Sequence, residues 1–451
     1  GPAKHKITLT GDVSTDATWQ IGSIETKRTR SRPYAPFITS TLQQSAANQL
    51  NFTAQTTMRT AQQLYEGIEI GREGSTGLIT YMRTDSTHLS GEALNAARTH
   101  IAHAFGEKYL PDKPNFYSSS NKGAQEAHEA IRPTDVRLSP NDPQIKRALD
   151  DRQWKLYDLI WRRCVDCQIP PAEWDTTSFP VTGGMPDQPT LTFRGSGRTL
   201  AFDGFYKVAG IPNPADDAIL PPLDEGKAVA PLQVDPTQHF TSPPPRYTEA
   251  SLVKKLESEG IGRPSTYASI IQVIQNRKYV EKIQNRFFAT DLGEVVTDKL
   301  IEGFPSIMDI GYTRWMEDEL DAVEEQHHDW VEFLHKFYGP FKENLAQAHE
   351  DMSHAKAETQ PSPHKCPECG ADCVYRFGKN GRFLSCSRYP DCKYAAPIDR
   401  DGNPQEPEQT DIACPECGKP LIKRTGRYGP FLSCSDYPDC KGIVNLDKKG
   451  H

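Results

Sequence analysis

The sequence predicts an α+β protein of several domains, and three features of its 451 residues lead to this prediction. Alternating polar and apolar residues at 4–35, and short runs separated by Pro and Gly at 170–245, indicate strands. Between them, the apolar residues of 36–168 recur every three or four positions, which indicates helices. Near the carboxyl end, one four-cysteine spacing occurs twice, which indicates two small metal-bound modules.

The two strand segments differ in the residues that separate their strands. KITLTG and WQIGSIETK in the first segment favour an antiparallel sheet, whereas Pro and Gly separate the short strands of the second, which are TTSFPVTGG, PTLTFRGSG, TLAFDGFYKVAG and AVAPLQVDPTQHF. This pattern alone equally allows a sandwich. The basic run KRTRSR at 27–32 is typical of a DNA-contacting patch and, to the same degree, of a solvated loop.

The helical segment contains four periodic stretches. Ser90 is predicted to cap the third, but Ala93 stands where an acidic residue would complete the capping box. The four stretches are STLQQSAANQL, MRTAQQLYEGIEI, SGEALNAARTHIAHAFGEKYL and DRQWKLYDLIWRRCVDC. Cys164 and Cys167 lie in the last of them without a second cysteine pair nearby, so we interpret them as small packing residues.

Residues 248–290 predict two helices joined by a turn and followed by a short β wing at RFFATDLG, a unit that often binds DNA. Pro264 and Ser265 are predicted to begin the second helix, so that free backbone N–H groups near Arg263 suit a phosphate. An ordinary helical hairpin is the alternative. Tyr267 is a candidate core residue.

The repeated cysteine pattern is the most specific signal that the residues provide on their own. Each copy has the spacing C-x2-C-x16-C-x5-C, and both copies share CPECG, FLSCS and YPDCK. Four thiolates satisfy a structural zinc and leave no open position, whereas disulfides are disfavoured in a cytoplasmic protein. The predicted ligands are Cys366, Cys369, Cys386 and Cys392 in the first ribbon, at 364–399, and Cys414, Cys417, Cys434 and Cys440 in the second, at 412–447.

Aromatic and basic residues accompany the cysteines of both predicted ribbons. Such residues on strands stack single-stranded bases, or they cover the zinc and a small core. They are Tyr375, Phe377 and Phe383 in the first ribbon, and Arg427, Tyr428 and Phe431 in the second. Cys373 lies outside the repeated spacing.

Tyr81 and Arg83 in GLITYMRTDS are candidates for nucleophilic chemistry on a phosphodiester. A phenol with a pKa of about 10 needs a cation or base to activate it, and the planar fork of arginine fits two phosphate oxygens. In an extended segment the two side chains point the same way. A core tyrosine and a solvated arginine are the alternatives that this spacing leaves open.

GLITYMRTDS, with PFITSTLQQSAANQL before it and QEAHEAIRPTDV after it, resembles the active-site region of the bacterial type IA DNA topoisomerases, of the topoisomerase I group. The resemblance continues through HFTSPPPRYTEASLVKKLESEGIGRPSTYASIIQVI and covers ordered segments from residue 33 to about residue 320. It implies a β arch domain, at 3–35 and 169–247, with a helical domain at 36–168 inserted into it. A winged-helix-like domain at 248–355 would follow.

The resemblance also implies roles for individual residues. Tyr81 would cut one DNA strand and stay joined to the 5′ phosphate, Arg83 would contact the scissile phosphate, and His128 would lie in the same site. Arg263, Ser265, Thr266 and Arg132 would contact DNA, while Glu126 and Glu129 remain candidates for solvated helix charges. Cleavage, strand passage and religation would relax negative supercoils without ATP, and no G-x4-G-K-[ST] loop is present.

Members of that family carry an acidic Toprim domain that binds Mg²⁺. The sequence shows no such domain, and its one D-x-D, Asp399 to Asp401, lies in the hydrophilic run DRDGNPQEPEQ. Gly1 and Pro2 have the form of a protease-cleavage scar, so we expect a fragment of a longer enzyme with half of a catalytic site. Isolated, it is expected to lack full activity.

Composition limits the partners and the compartment. A formal charge of −8 excludes a uniformly basic DNA binder, so DNA contacts must be local. The absence of a long apolar run and of a secretory signal predicts a cytoplasmic protein without a membrane partner. The resemblance implies a location at the bacterial nucleoid. The resemblance suggests a monomer. Two alternatives stay open: a non-catalytic module for single-stranded DNA, and a protein-docking platform, for example for RNA polymerase.

Overall fold

The computed structural model describes residues 18–71, 74–118, 128–184, 191–212, 220–229, 238, 240–352, 359–378, 381–399, 401–405, 409–426, 429–437 and 439–446. The chain divides into two compact units. Residues 1–276, 282–288 and 309–330 form the first unit, and residues 277–281, 289–308 and 331–451 form the second. Among the helices described, none is long and apolar enough to cross a membrane.

A five-stranded antiparallel sheet lies in the first unit, and the chain enters it twice. Its strands are β1 (Thr18–Ile21), β2 (Glu25–Ser31), β5 (Ala172–Gly184), β6 (Leu191–Phe202) and β7 (Ala228–Val229). The long strand β5 pairs with β1 and β2 from the first visit of the chain and with β6 from the second. The predicted strand KITLTG lies outside the described residues.

The basic run at 27–32 is mostly strand rather than loop. Arg28 donates to Asp175 and Glu173, and Arg30 donates to Glu173, so carboxylates on β5 pair with both arginines. Each of these pairs is largely solvated and contributes little to stability. The pairing reduces the positive charge that the sequence suggested for DNA.

The chain between the two visits to the sheet is mainly helical, as its periodicity predicts. Its elements are α1 (Thr39–Leu50), α2 (Ala54–Glu66), the short strands β3 (Ile68–Glu69) and β4 (Ser75–Thr76), α3 (Gly91–Phe105), α4 (Pro143–Ala148) and α5 (Asp151–Asp166). Ser90 caps α3 by accepting a hydrogen bond from the Ala93 N–H, as predicted. Cys164 and Cys167 are buried, which confirms their interpretation as packing residues.

The segment TLAFDGFYKVAG is only partly a strand. Its end forms the short helix α6 (Tyr206–Ala209), because Phe205 and Val208 are buried against the helical core instead of continuing the sheet. Large apolar side chains on α1, α2 and α5 form the centre of that core; Leu42, Leu64 and Ile160 are fully buried.

Two helices follow the sheet, α7 (Glu249–Ser258) and α8 (Tyr267–Asn276), and then a hairpin of β8 (Val280–Ile283) and β9 (Arg286–Ala289). The helix α8 begins at Tyr267 instead of the predicted Pro264, because residues 263–266 form a turn. The predicted wing ends at Ala289, since Asp291 already begins the next helix. Tyr267 is buried, as a core residue would be.

In the described part of the remaining chain there are three helices and two small sheets. The helices are α9 (Asp291–Gly303), α10 (Ile310–Gln326) and α11 (Trp330–Asp351). The first sheet has β10 (Thr359–Lys365), β11 (Asp372–Gly378), β12 (Gly381–Cys386) and β13 (Ala395–Pro397); the second has β14 (Gln409–Ala413), β15 (Pro420–Gly426), β16 (Gly429–Cys434) and β17 (Ile443–Asn445). Both sheets are antiparallel with the same strand order.

Glu249 of α7 joins α7 to the helical core. Its carboxylate is 5 % exposed and accepts hydrogen bonds from the Ala54 N–H, at the start of α2, and from the Lys282 ammonium, both at 2.7 Å. The first N–H groups of a helix have no partner within that helix, so this carboxylate satisfies one of them.

We expect Glu249→Ala to lower the free energy of unfolding by about 2 kcal/mol, because a buried N–H and an ammonium lose their partner. Urea denaturation followed by tryptophan fluorescence measures the change. Glu25→Ala is the control, since Glu25 pairs with Lys27 on the surface and its loss costs less than about 0.5 kcal/mol. Equal losses in both variants would contradict this account of Glu249.

Candidate functional site

The segment that carries Tyr81 alternates between exposed and buried side chains. Tyr81 is 40 % exposed and Arg83 is exposed, whereas Met82 and Thr84 are buried. Alternation with a period of two is the behaviour of extended backbone. Tyr81 and Arg83 therefore both lie on the solvent side of the segment, the arrangement that their spacing predicts.

Thr39, the first residue of α1, binds one side of this segment. Its N–H donates to the Thr84 carbonyl at 2.9 Å, and its hydroxyl donates to the Met82 carbonyl at 2.7 Å. The Thr84 N–H donates in turn to the Thr39 hydroxyl at 3.0 Å. Because Thr39 is fully buried, these bonds are shielded from water and fix the backbone on both sides of Arg83.

The segment 130–134 binds the other side. The Thr80 N–H donates to the Arg132 carbonyl at 2.9 Å, and the Arg132 N–H donates to the Thr80 hydroxyl at 3.0 Å. The Thr80 hydroxyl donates to the Ala130 carbonyl at 2.7 Å. The Thr84 hydroxyl accepts a hydrogen bond from the Ser86 N–H. The hydroxyls of Thr80 and Thr84, which flank Tyr81 in sequence, therefore both bind backbone groups.

Three aromatic residues of α5 hold the chain that follows this segment. Trp154, Tyr157 and Trp161 each donate a hydrogen bond to a carbonyl, of Pro140, Leu138 and Val136 respectively, at 2.7–2.8 Å. Their spacing of three and four residues puts them on one face of the helix. The core helix α5 thus fixes residues 136–140 directly downstream of Arg132.

The ring of Tyr81 lies near two other rings. The Tyr65 ring makes an edge contact, with centroids 5.3 Å apart, and the His128 ring centroid is 6.5 Å away. The Leu78 N–H donates to the Leu64 carbonyl at 2.7 Å, which brings the end of α2 against the Tyr81 segment. A Cβ on Gly77 would lie 2.7 Å from the Tyr65 carbonyl oxygen, so this approach requires glycine. Sequence reasoning missed Tyr65, because no local pattern connects it with Tyr81.

The described residues from His128 to Thr134 are not helical, although the spacing of His128 and Arg132 suggested a helix. Ile131 and Pro133 form isolated bridges with Phe37 and Ile79, so the segment crosses the Tyr81 segment as extended chain. Glu129 is not a solvated charge: it accepts from the Ser90 N–H and from the Arg132 guanidinium. Burial raises the pKa of Glu129, but the hydrogen bond from Ser90 and the charge of Arg132 outweigh it and lower the pKa. Glu126 lies outside the described residues.

Arg132 has a guanidinium that is already engaged. Its side chain is 15 % exposed, pairs with Glu129 and donates to the Pro133 carbonyl. The predicted contact between Arg132 and DNA stays a prediction. What the structure adds is a positioning role, because the same residue binds Thr80 through its backbone.

The second predicted DNA site, before α8, is in the same compact unit as Tyr81. Arg263 pairs with Asp321 at 2.6 Å and with Glu317 at 3.5 Å; burial lowers its pKa, but these two carboxylates outweigh burial and raise it. Thr266 bonds the Arg263 backbone through its hydroxyl, and the Thr266 and Tyr267 N–H groups donate to the Arg263 carbonyl. Fewer N–H groups are therefore free than predicted. Ser265 is exposed.

The eight predicted cysteine ligands form two separate groups. In each group the four sulfur atoms lie within 4.8 Å of one another, and two pairs of sulfur atoms are 3.4 Å and 3.7 Å apart. Tetrahedral zinc with bonds of about 2.3 Å requires sulfur separations of about 3.8 Å. These groups fit zinc. They are also the only clusters of three or more His, Cys, Asp or Glu ligands among the described residues.

Hydrogen bonds from backbone N–H groups stabilise the thiolate form of one cysteine in each ribbon. Burial raises the pKa of Cys366, but the N–H groups of Cys369 and Glu368 outweigh it and bring the pKa to about 7. The N–H groups of Glu416 and Cys417 do the same for Cys414 in the second ribbon. Hydrogen bonds to a thiolate favour the charged form that binds metal.

Each ribbon presents an arginine over an exposed tyrosine. Arg376 lies 5.3 Å from the centroid of Tyr389, and Arg424 lies 5.7 Å from that of Tyr437. Sequence reasoning missed these two pairs, although the same offset that relates the cysteines of the two ribbons also relates the pairs. The side chains of Arg427 and Tyr428, which it did select, lie outside the described residues.

The fold and these sites define a protein of mixed α+β build with two four-cysteine zinc ribbons and an exposed tyrosine held next to an arginine. A family model described as DNA topoisomerase matches residues 4–335. One described as topoisomerase DNA binding C4 zinc finger matches residues 363–401 and 411–449. The chain belongs to the bacterial type IA DNA topoisomerase I family.

Individual relatives agree with this assignment. The chain is 47 % identical over 376 residues to DNA topoisomerase 1 of Pseudomonas aeruginosa, and 46 % identical over 375 residues to that of Haemophilus influenzae. These matches cover 83 % and 82 % of this chain but 41 % of each relative. Full-length topoisomerase I from Thermotoga maritima is similar in structure, with a TM-score of 0.71 at 34 % identity, over 92 % of this chain and 65 % of that one.

We expect Cys386→Ser to reduce bound zinc from two ions to one per chain, because three thiolates cannot complete the first site. Elemental analysis after dialysis against a weak chelator measures the content. Cys373→Leu is the matched control: Cys373 is buried beside the first site, and Leu421 occupies the corresponding position of the second ribbon. A control variant that also loses an ion, or a Cys386→Ser protein that keeps two, would contradict the ligand assignment.

Proposed function

We propose that this chain provides the strand-cleaving core of a type IA DNA topoisomerase, with Tyr81 as nucleophile. The observation that carries the proposal is a phenol 40 % exposed, on a backbone fixed from both sides, with Arg83 exposed two residues away. The chain spans about two fifths of the length of its curated relatives, so the activity belongs to the whole protein.

The proposed reaction exchanges one phosphodiester for another. The Tyr81 hydroxyl gives up its proton as its oxygen attacks phosphorus in a single strand, and the bond from phosphorus to the 3′ oxygen breaks. The 3′ oxygen takes up a proton and becomes a hydroxyl, while the 5′ phosphate stays on the tyrosine. After strand passage the 3′ hydroxyl attacks the phosphotyrosine and restores the DNA. The number of phosphodiester bonds is unchanged throughout, so torsional strain in negatively supercoiled DNA, without ATP, drives relaxation.

Arg83 is proposed to hold the nonbridging oxygens of the scissile phosphate, on which charge accumulates in the transition state. His128, with its ring centroid 6.5 Å from that of Tyr81, is proposed to bind the same phosphate. Rigid support makes these roles effective, because a nucleophile held in line with phosphorus loses little entropy on reaction. Thr39, Thr80 and the Arg132 backbone supply that support.

The DNA path extends beyond the cleavage site in this proposal. Arg263, Ser265, Thr266 and Arg132 are proposed to contact the strand, with Ser265 the most exposed of them. The sheet that the chain enters twice is proposed to form the β arch, at 3–35 and 169–247, around the helical domain at 36–168. Residues 248–355 are proposed as the winged-helix-like domain, and the ribbons at 364–399 and 412–447 as sites for single-stranded DNA.

Among the described residues, the groups of three or more potential metal ligands are the two cysteine clusters, and thiolates are not the oxygen ligands that Mg²⁺ prefers. The Asp399 carboxylate already accepts hydrogen bonds from the N–H groups of Asp401 and Asn403. We therefore place the Mg²⁺ site, and the acid that assists proton transfer, in the remaining part of the longer protein, a Toprim domain. Isolated, this chain is proposed to lack relaxation activity.

A second function is favoured by the ribbons. The exposed tyrosines Tyr389 and Tyr437 under arginines suit bases and phosphates of single-stranded DNA without any cleavage. A non-catalytic DNA-binding role is thus the alternative for the isolated chain, and docking to a protein such as RNA polymerase is its rival. Either role is proposed for a monomer at the cytoplasmic nucleoid.

We expect the chain joined to the Toprim domain of a relative to relax negatively supercoiled plasmid with Mg²⁺, and the unjoined chain not to do so. In the joined protein, Tyr81→Phe should abolish relaxation, because the attacking oxygen is removed. Arg83→Ala should slow cleavage by about a hundredfold, a typical loss for a transition-state donor.

Gel assays of plasmid topology provide the measurement. Tyr65→Phe serves as the matched control, since it removes a hydroxyl from the neighbouring ring and leaves the nucleophile in place. Relaxation by the joined Tyr81→Phe protein would refute the central assignment. Relaxation by the unjoined chain would refute the placement of magnesium elsewhere.

A further inference from the structure

The two zinc ribbons are near-repeats whose central hairpins present different side chains. Both ribbons have an arginine over a tyrosine, and in both a phenylalanine lies opposite that arginine on the neighbouring strand, Phe383 opposite Arg376 and Phe431 opposite Arg424. Among the hairpin positions that differ are Tyr375, Phe377 and Arg382 of ribbon 1, which correspond to Lys423, Thr425 and Pro430 of ribbon 2. Ribbon 1 thus has a surface of its own.

An acidic helix face covers this surface of ribbon 1. Asp291, Glu294 and Asp298 of α9 are spaced three and four residues apart, which puts them on one side of the helix. All three line a cavity of about 140 Å³, and Tyr375, Arg376 and Arg382 line its other wall. The Arg382 Nε lies 3.6 Å from an Asp291 carboxylate oxygen.

The contact between the acidic helix and the arginines is incomplete. The Nε atoms of Arg376 and Arg382 are buried, and neither has a hydrogen-bond partner. A separation of 3.6 Å is an ion pair without a hydrogen bond. A buried guanidinium N–H without an acceptor costs free energy, and a phosphate oxygen is one of the acceptors that its fork fits.

Ribbon 2 shows the same arginine in a different environment. Arg424 is exposed, whereas Arg376 is half-buried beside α9. Tyr437 and Tyr389, the rings beneath them, are 53 % and 56 % exposed. The two arginine–tyrosine pairs are equivalent by sequence, and two described features separate their environments. One is the acidic helix, and the other is strand β10, which pairs Thr359 with Arg376, whereas the described part of β14 pairs with Ile422 and Pro420 and does not reach Arg424.

We propose that the acidic face of α9 is an internal competitor of single-stranded DNA for ribbon 1. This inference rests on the proposed binding of single-stranded DNA by the ribbons. The α9 carboxylates occupy the place of DNA phosphates next to Arg376 and Arg382, while ribbon 2 is open to the strand. DNA therefore binds ribbon 2 first and binds ribbon 1 only by displacing α9.

A mutant cycle on the whole chain tests the competition, with a fluorescein-labelled oligothymidine as probe and fluorescence anisotropy as readout. In the wild-type background, we expect Arg424→Ala to weaken binding about fivefold, the lower end of the range for a stacking contact, and Arg376→Ala to weaken it less than about twofold. With α9 neutralised by Asp291→Asn, Glu294→Gln and Asp298→Asn, binding should tighten. Arg376→Ala should then weaken it about fivefold, like Arg424→Ala.

The cycle separates competition from general charge effects. If neutralising α9 only reduces its repulsion of DNA, the α9 substitutions should tighten oligothymidine binding by the same factor whether Arg376 is present or replaced by Ala. That result would overturn the proposal. Equal losses from Arg376→Ala and Arg424→Ala in the wild-type background would also overturn it. If neither arginine affects binding in either background, the ribbons do not bind the strand, and the proposed DNA-binding function of the ribbons fails instead. A zinc content of two ions per chain confirms that each variant is folded.

Discussion

The hydrogen bonds that hold Tyr81 from both sides are the constraint on which the rest of the first unit depends. Thr39 at the start of α1 binds the carbonyls of Met82 and Thr84, and Thr80 exchanges bonds with the Arg132 backbone. The segment is extended, so its alternate side chains must be buried or exposed together. Burying Met82 and Thr84 in the core leaves Tyr81 and Arg83 in solvent. The proposed chemistry is therefore a consequence of how the core is packed.

Contacts between segments that are distant in sequence hold this core together. The helix α5 holds residues 136–140 through three aromatic donors, and the preceding residues form bridges to the segments of Phe37 and Ile79. The ribbons are stabilised in a different way, because each is too small to bury much apolar surface. Metal binding supplies folding free energy there instead, which leaves aromatic and basic side chains available at the surface.

The spacing of residues along the chain predicted those features that neighbouring residues determine. Cysteine spacing located both metal groups, because four ligands around one ion restrict the intervening chain. Period-two alternation placed Tyr81 and Arg83 on one side. Contacts between distant residues were beyond such rules: Thr39 binds a carbonyl 43 positions away, and Arg263 pairs with Asp321, 58 positions on. For the same reason Glu129 appeared to be a solvated charge, although it binds Ser90 and Arg132.

Identification of the residue that becomes joined to DNA tests the role of Tyr81 as nucleophile. The chain joined to a Toprim domain is incubated with a single-stranded oligonucleotide and Mg²⁺, denatured rapidly and digested for mass spectrometry. We expect a nucleotide 5′ phosphate on the peptide containing Tyr81, and none in Tyr81→Phe. A phosphate on Tyr65, whose exposed ring lies 5.3 Å away, or an adduct that persists in Tyr81→Phe, would contradict it.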